Sequence, residues 1–86
     1  MRRLRTLTPN PERFRQLRLR AGFSRRGLVH RARNLYKRQI VDSHFSESTV
    51  KRIERGEAVL ADALRAAAEV LGVPLAEILD AEAQVE

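Results

Sequence analysis

The sequence predicts a small all-α domain of five helices. Three observations carry this. Apolar residues recur at helical spacing, and no segment shows the strict alternation of a half-buried strand. Helix-starting residues stand before the apolar runs, at Asn10, Ser24, Ser46 and Pro74. Gly22, Gly56 and Gly72 stand just after three of those runs, where a left-handed closing residue is expected. At 86 residues the chain makes one domain. It is read as a basic arm over 1–9, a helical domain over 10–80 and a frayed tail over 81–86.

Asn10-Pro11-Glu12 starts the first helix, with Asn as cap, Pro at the first helical position and an acid in the first turn. Phe14, Leu17 and Ala21 share one face, and Gly22 closes the helix. Ser24 caps the second helix, whose apolar positions are Leu28, Val29, Ala32, Leu35, Tyr36 and Ile40. This helix either runs to about residue 40 or breaks at Asn34, a weak helix former. Ser46 caps the third. Phe45 before the cap and Val50 four residues inside form a hydrophobic staple pattern. Val50 and Ile53 face inward, and Glu47, Ser48, Lys51, Arg52 and Arg55 face out. Leu60, Leu64, Ala67 and Leu71 form the inner stripe of a fourth helix stopped by Gly72. Pro74 opens a short fifth helix with Leu75, Ile78 and Leu79.

Composition narrows function. Cysteine is absent, which excludes a disulfide scaffold and Cys-ligated metal. No nucleophilic Cys, His-Glu-x-x-His or glycine-rich phosphate loop is present, so no enzyme activity and no cofactor is expected. Asp42, His30 and His44 supply too few ligands for zinc. Phe14, Phe23, Phe45 and Tyr36 are too scattered for an RNA-stacking platform. No apolar run spans a membrane and no apolar segment follows the basic start, so the expected location is cytoplasmic. The net charge is +6, which points to a polyanionic partner. It is unevenly placed: residues 1–56 hold sixteen Lys/Arg against four Asp/Glu, and residues 57–86 hold one against seven.

Short helices, a glycine-punctuated turn and a basic third helix suggest helix-turn-helix DNA binding. The run Phe14-x-x-Leu17-Arg18, then Ala21-Gly22-Phe23-Ser24, Leu28-Val29, Ser46-Glu47-Ser48-Thr49-Val50-Lys51-Arg52-Ile53-Glu54-Arg55-Gly56, Leu64, Ala67, Leu71-Gly72-Val73 and Leu75-x-x-Ile78-Leu79 resembles the phage-repressor/Cro-like (XRE) helix-turn-helix family over roughly residues 12–80. The resemblance implies a compact five-helix repressor-like domain with residues 46–56 as recognition helix. It places base-reading positions at Glu47, Ser48, Lys51 and Arg52. It places phosphate contacts at Ser24, Arg25, Arg26, Ser46 and Arg55, and a structural ion pair at Arg18 and Glu54. Glu47 either accepts from a cytosine amine or simply favours the helix dipole. Arg2, Arg3 and Arg5 form an arm that either enters a minor groove or stays solvated.

Two departures stand out. Ser24 to Gly56 spans 33 residues, where relatives use about 22, so about eleven are extra, within 34–45. This gives an enlarged connection between helices 2 and 3. Lys37 and Arg38 there can add phosphate contacts. Tyr36, Ile40 and Val41 pack on the core, or else on a second protomer or another protein, with core packing preferred. Second, Glu57-Ala58-Val59-Leu60-Ala61-Asp62 is apolar and acidic where relatives often grip the backbone.

The expected function is sequence-specific double-stranded DNA binding in transcription regulation. The expected form is a homodimer joined through the apolar ends of helices 4 and 5. The alternative is a helix-turn-helix-shaped adaptor for a protein partner such as the transcription machinery, through residues 34–45.

Overall fold

Three side-chain caps begin the first three helices in the computed structural model, which describes residues 5–80. The Asn10 carboxamide oxygen accepts from the Arg13 N–H, starting α1 (Pro11–Arg20). The Ser24 hydroxyl accepts from the Gly27 N–H at 2.9 Å, starting α2 (Arg25–Lys37). The Ser46 hydroxyl accepts from the Thr49 N–H at 3.2 Å, starting α3 (Glu47–Glu54). Each cap satisfies one of the donors that a helix start leaves without an intrahelical acceptor.

The all-α expectation is corrected by two short strands. β1 (Thr6–Leu7) pairs antiparallel with β2 (Val59–Leu60), Thr6 opposite Leu60 and Leu7 opposite Val59. Two-residue strands carry no readable alternation; they form because tertiary packing brings the segments together. The pairing also explains α4 (Ala61–Leu71), which has no side-chain cap. Its Ala61 N–H donates instead to the Arg5 carbonyl at 2.9 Å. Leu60, expected on the inner stripe of this helix, lies outside it in β2 and is 48% exposed. The inner face is built from Ala61, Ala63, Leu64, Ala66, Ala67 and Ala68.

The fifth helix is also corrected: Leu75–Ile78 makes one 3-10 turn. Its backbone groups are taken by the N-terminal segment. Asn10 N–H donates to the Ile78 carbonyl at 2.8 Å, Asp80 N–H donates to the Thr8 carbonyl at 3.0 Å, and Pro9 bridges Leu79. Thr6 to Pro9, expected in a free arm, are thus part of the fold. Arg2, Arg3 and the tail 81–86 lie outside the described residues.

All four helices end with the same pair of backbone bonds, of the Schellman type. In α1, Phe23 N–H donates to Arg18 and Gly22 N–H to Leu19; in α3, Glu57 N–H donates to Arg52 and Gly56 N–H to Ile53. α4 repeats the pattern at Gly72 and Val73. In α2 the left-handed residue is Gln39, at φ 61°, with Ile40 N–H donating to Leu35 and Gln39 N–H to Tyr36. The helix therefore passes Asn34 and stops at Lys37, settling the choice the sequence left open. Ala21, expected on the inner face of α1, is the exposed C-cap, because that helix ends at Arg20.

The core joins Phe14, Leu28, Val50, Ile53, Leu64 and Ile78, all fully buried, with Phe45 at the staple position. α1 packs on α3, α2 lies against α3 and α4, and the 3-10 turn closes against α1 and α4. The connection from Arg38 to Ser46 sends only part of its apolar set inward. Val41 is buried, but Tyr36 at 44% and Ile40 at 50% are exposed, against the expectation of core packing. The Schellman turn at Gln39 reverses the chain, so Ile40 leaves the inner face of α2 while Val41 returns to it. Tyr36 meets His44 edge-on, with ring centroids 4.8 Å apart.

Candidate nucleic-acid interface

Burial decides which side of α3 is available. Val50 and Ile53 are fully buried, which leaves Ser48, Lys51, Arg52 and Arg55 exposed and Glu47 half-buried on the opposite side. The helix is held at both ends, by the Ser46 cap and staple at its start and by an ion pair at its finish.

That ion pair joins α1 to α3. Arg18 Nε donates to Glu54 Oε2 at 2.6 Å, and Nη2 donates to Oε1 at 3.3 Å. Arg18 Nη1 also donates to the Phe23 carbonyl at 2.8 Å. The two side chains are 8% and 5% exposed. Glu54 takes a second cation, Arg25, at 3.3 Å. Arg25, expected on phosphate, is therefore bent back toward α3. Among the described residues no buried side-chain nitrogen or oxygen lacks a hydrogen-bond partner, so the buried charges are compensated.

The remaining arginines beside α3 are lightly tethered to acids. Arg26 Nε lies 4.0 Å from Glu47. Glu57 faces two arginines, Arg52 at 3.6 Å and Arg55 at 2.7 Å. Arg52 Nη2 also donates to the Ala58 carbonyl at 3.2 Å. This bridging role of Glu57 escaped the sequence reading. Its signal was the spacing: Glu57 follows Arg55 across the Gly56 turn, and that turn folds the chain back onto Arg52. These partners are between 43% and 79% exposed, so each ion pair is worth about 0.2–1 kcal/mol. Ser48 and Lys51 have no side-chain hydrogen bond or ion pair among the described residues.

Glu47 occupies the first turn of α3, where a carboxylate favours the helix dipole. The hydroxyls of Ser24 and Ser46 are used by their own helix starts, which orders the backbone N–H groups around them. Arg5 is exposed beside the strand pair.

A third helix that turns Lys51 and Arg52 outward and is locked to the first by a buried ion pair is the architecture of a helix-turn-helix protein. The chain belongs to the helix-turn-helix domain family, whose family model matches residues 12–81, in the repressor/Cro-like manner that the Ser46–Gly56 run resembles. That fold suggests DNA binding. No curated protein and no solved structure matches the chain. Among the described residues, no helix is long and apolar enough to cross a membrane, and no group of three or more His, Cys, Asp or Glu is placed to hold a metal.

Proposed function

We propose that the protein is a sequence-specific double-stranded DNA-binding regulator of transcription that reads bases with α3. The observation that carries this reading is the presentation of α3: its apolar side is fully buried, its end is fixed by Arg18–Glu54, and Ser48, Lys51 and Arg52 are left facing out. Arg52 is the principal reader. A bidentate contact to guanine is worth about 1–3 kcal/mol of discrimination. Leaving Glu57 costs about 0.2–1 kcal/mol and leaving the Ala58 carbonyl about 0.5–1.5 kcal/mol. The exchange is close to balanced at a matching base and unfavourable at any other, which is what selectivity requires.

Lys51 and Ser48 read neighbouring bases. Arg26, Arg55 and the ordered starts at Ser24 and Ser46 take phosphate. Arg25 divides its charge between Glu54 and phosphate, and Arg2, Arg3 and Arg5 supply the arm. Glu47 serves the helix dipole and holds Arg26. The regulator acts as a homodimer on half-sites about one helical turn apart. Leu71, Val73, Leu75 and Leu79 are packed against the core, so the contact through α4 and the 3-10 turn uses their remaining edges.

The adaptor reading draws on one observation, the exposed pair Tyr36 and Ile40 at the end of α2. Selection of a site from random duplex DNA, followed by anisotropy over a salt series, separates the two. A regulator gives a preferred sequence and a log–log salt slope of several units, and Arg52→Ala flattens the preference. Weak, sequence-blind binding that Arg52→Ala leaves unchanged overturns the DNA-reading role. Sedimentation as a monomer at high micromolar concentration removes the dimer.

A further inference from the structure

We propose that the outward face of α2, beyond its start, is a second phosphate-binding track for the duplex that α3 reads. The inference rests on the DNA-binding reading above and extends the contact surface from Arg26 along the helix through Arg33 to Lys37.

The helix from Arg25 to Lys37 contains no acidic residue. Leu28, Val29, Ala32 and Leu35 are its buried positions. At 100° per residue, Arg26, His30, Arg33 and Lys37 fall together on the opposite side, and all four are exposed. Arg31 and the C-cap Arg38 stand roughly a third of a turn round the helix from this row and are also exposed. The pairing pattern changes along the helix. Arg25 and Arg26, at its start, face Glu54 and Glu47. Arg31, Arg33, Lys37 and Arg38 have no ion-pair partner among the described residues, and Asp42 in the following segment is not within ion-pair distance of them.

Lys37, in the last turn, favours the helix dipole, but Arg33, in mid-helix, has no such compensation in the folded chain. Like charges at Arg33 and Lys37, four residues apart, repel on the helix surface. A polyanion reverses that sign. The position of the row identifies which polyanion. Its first member, Arg26, lies 4.0 Å from Glu47 in the first turn of α3, so the row starts at the edge of the recognition helix and runs away from it. From Arg26 to Lys37 it covers about 16 Å. A duplex seated on α3 therefore meets the track with backbone that flanks the bases being read. These contacts add affinity without sequence information.

The test uses the full chain and the duplex selected from a random pool, in two forms: about 40 base pairs, and trimmed to the recognised bases alone. Binding is measured by anisotropy from about 50 to 200 mM salt. On the long duplex, Arg33→Gln/Lys37→Gln should lower the log–log slope by about two, since each phosphate contact contributes about 0.9. That is about a tenfold smaller affinity change across the salt range. Base preference should stay the same. On the trimmed duplex, wild type and variant should give the same slope. Equal slopes on the long duplex overturn the track, showing a merely solvated face. An equal reduction on both duplexes also overturns it, showing a general effect of net charge. Wild type with no salt slope on either duplex refutes the DNA-binding reading itself, a distinct result. Both residues are exposed, so unchanged thermal unfolding of the variant checks that the fold is intact.

Discussion

Arg18 and Glu54 meet through two hydrogen bonds, at 2.6 and 3.3 Å, with both side chains nearly withdrawn from solvent. Their surroundings differ. Glu54 has a second cation in Arg25, while Arg18 has in addition only the neutral Phe23 carbonyl. Losing one partner therefore has unequal effects. Arg18→Met leaves Glu54 with Arg25 and should cost about 3 kcal/mol, whereas Glu54→Met strands the Arg18 guanidinium and should cost about 5 kcal/mol. The double variant should lose less than the sum, because no buried charge is left uncompensated. Denaturant unfolding of the four proteins completes the cycle; strict additivity, or single losses below about 1 kcal/mol, would contradict the arrangement.

Glu57 holds Arg52 and Arg55 against the body of the domain. Glu57→Gln removes the carboxylate charge while keeping the side chain's size, and so frees both guanidinium groups for DNA. Affinity for a selected duplex should rise about two- to thirtyfold, from two exposed ion pairs of about 0.2–1 kcal/mol each. Unfolding free energy should fall by less than about 2 kcal/mol. Anisotropy and chemical denaturation measure the two effects separately, and unchanged or weaker DNA binding would count against the tether.

Gln39 is the only non-glycine residue with positive φ among the described residues. A side chain in that conformation is disfavoured by about 1–2 kcal/mol, and glycine's extra freedom in the unfolded chain returns part of this. Gln39→Gly should therefore stabilise the domain by about 0.5–1 kcal/mol, seen as a higher denaturation midpoint with the same slope. A lower midpoint would mean that the glutamine side chain contributes more than its backbone strain costs.

The same residue shows where the sequence could be read and where it could not. Asn10, Ser24 and Ser46 announce their helices because a capping side chain acts on residues close by in the chain. Gly22, Gly56 and Gly72 announce helix ends for the same local reason. The end of α2 was ambiguous because Gln39 gives no such signal; the turn there is imposed by burial of Val41. The strand pair and the shortened last turn depend on contacts between the two ends of the chain, which no local pattern records. Leu60 misled for that reason: its spacing suits the stripe of α4, but its backbone pairs with Thr6. At the interface, the outward residues of α3 followed from the burial of Val50 and Ile53. The pairing of Glu57 with two arginines, and of Arg25 with Glu54, depended on where turns and neighbouring helices bring charges together.

The lacing of Thr8, Pro9 and Asn10 to Ile78, Leu79 and Asp80 has a topological consequence. It makes the domain a nearly closed loop of chain, with entry and exit side by side. On the N-terminal side the chain reaches that seam through β1, which is itself paired with β2. A load applied between the two ends of the domain would therefore be shared by the strand pair and the backbone seam, leaving α3 outside the direct line of force.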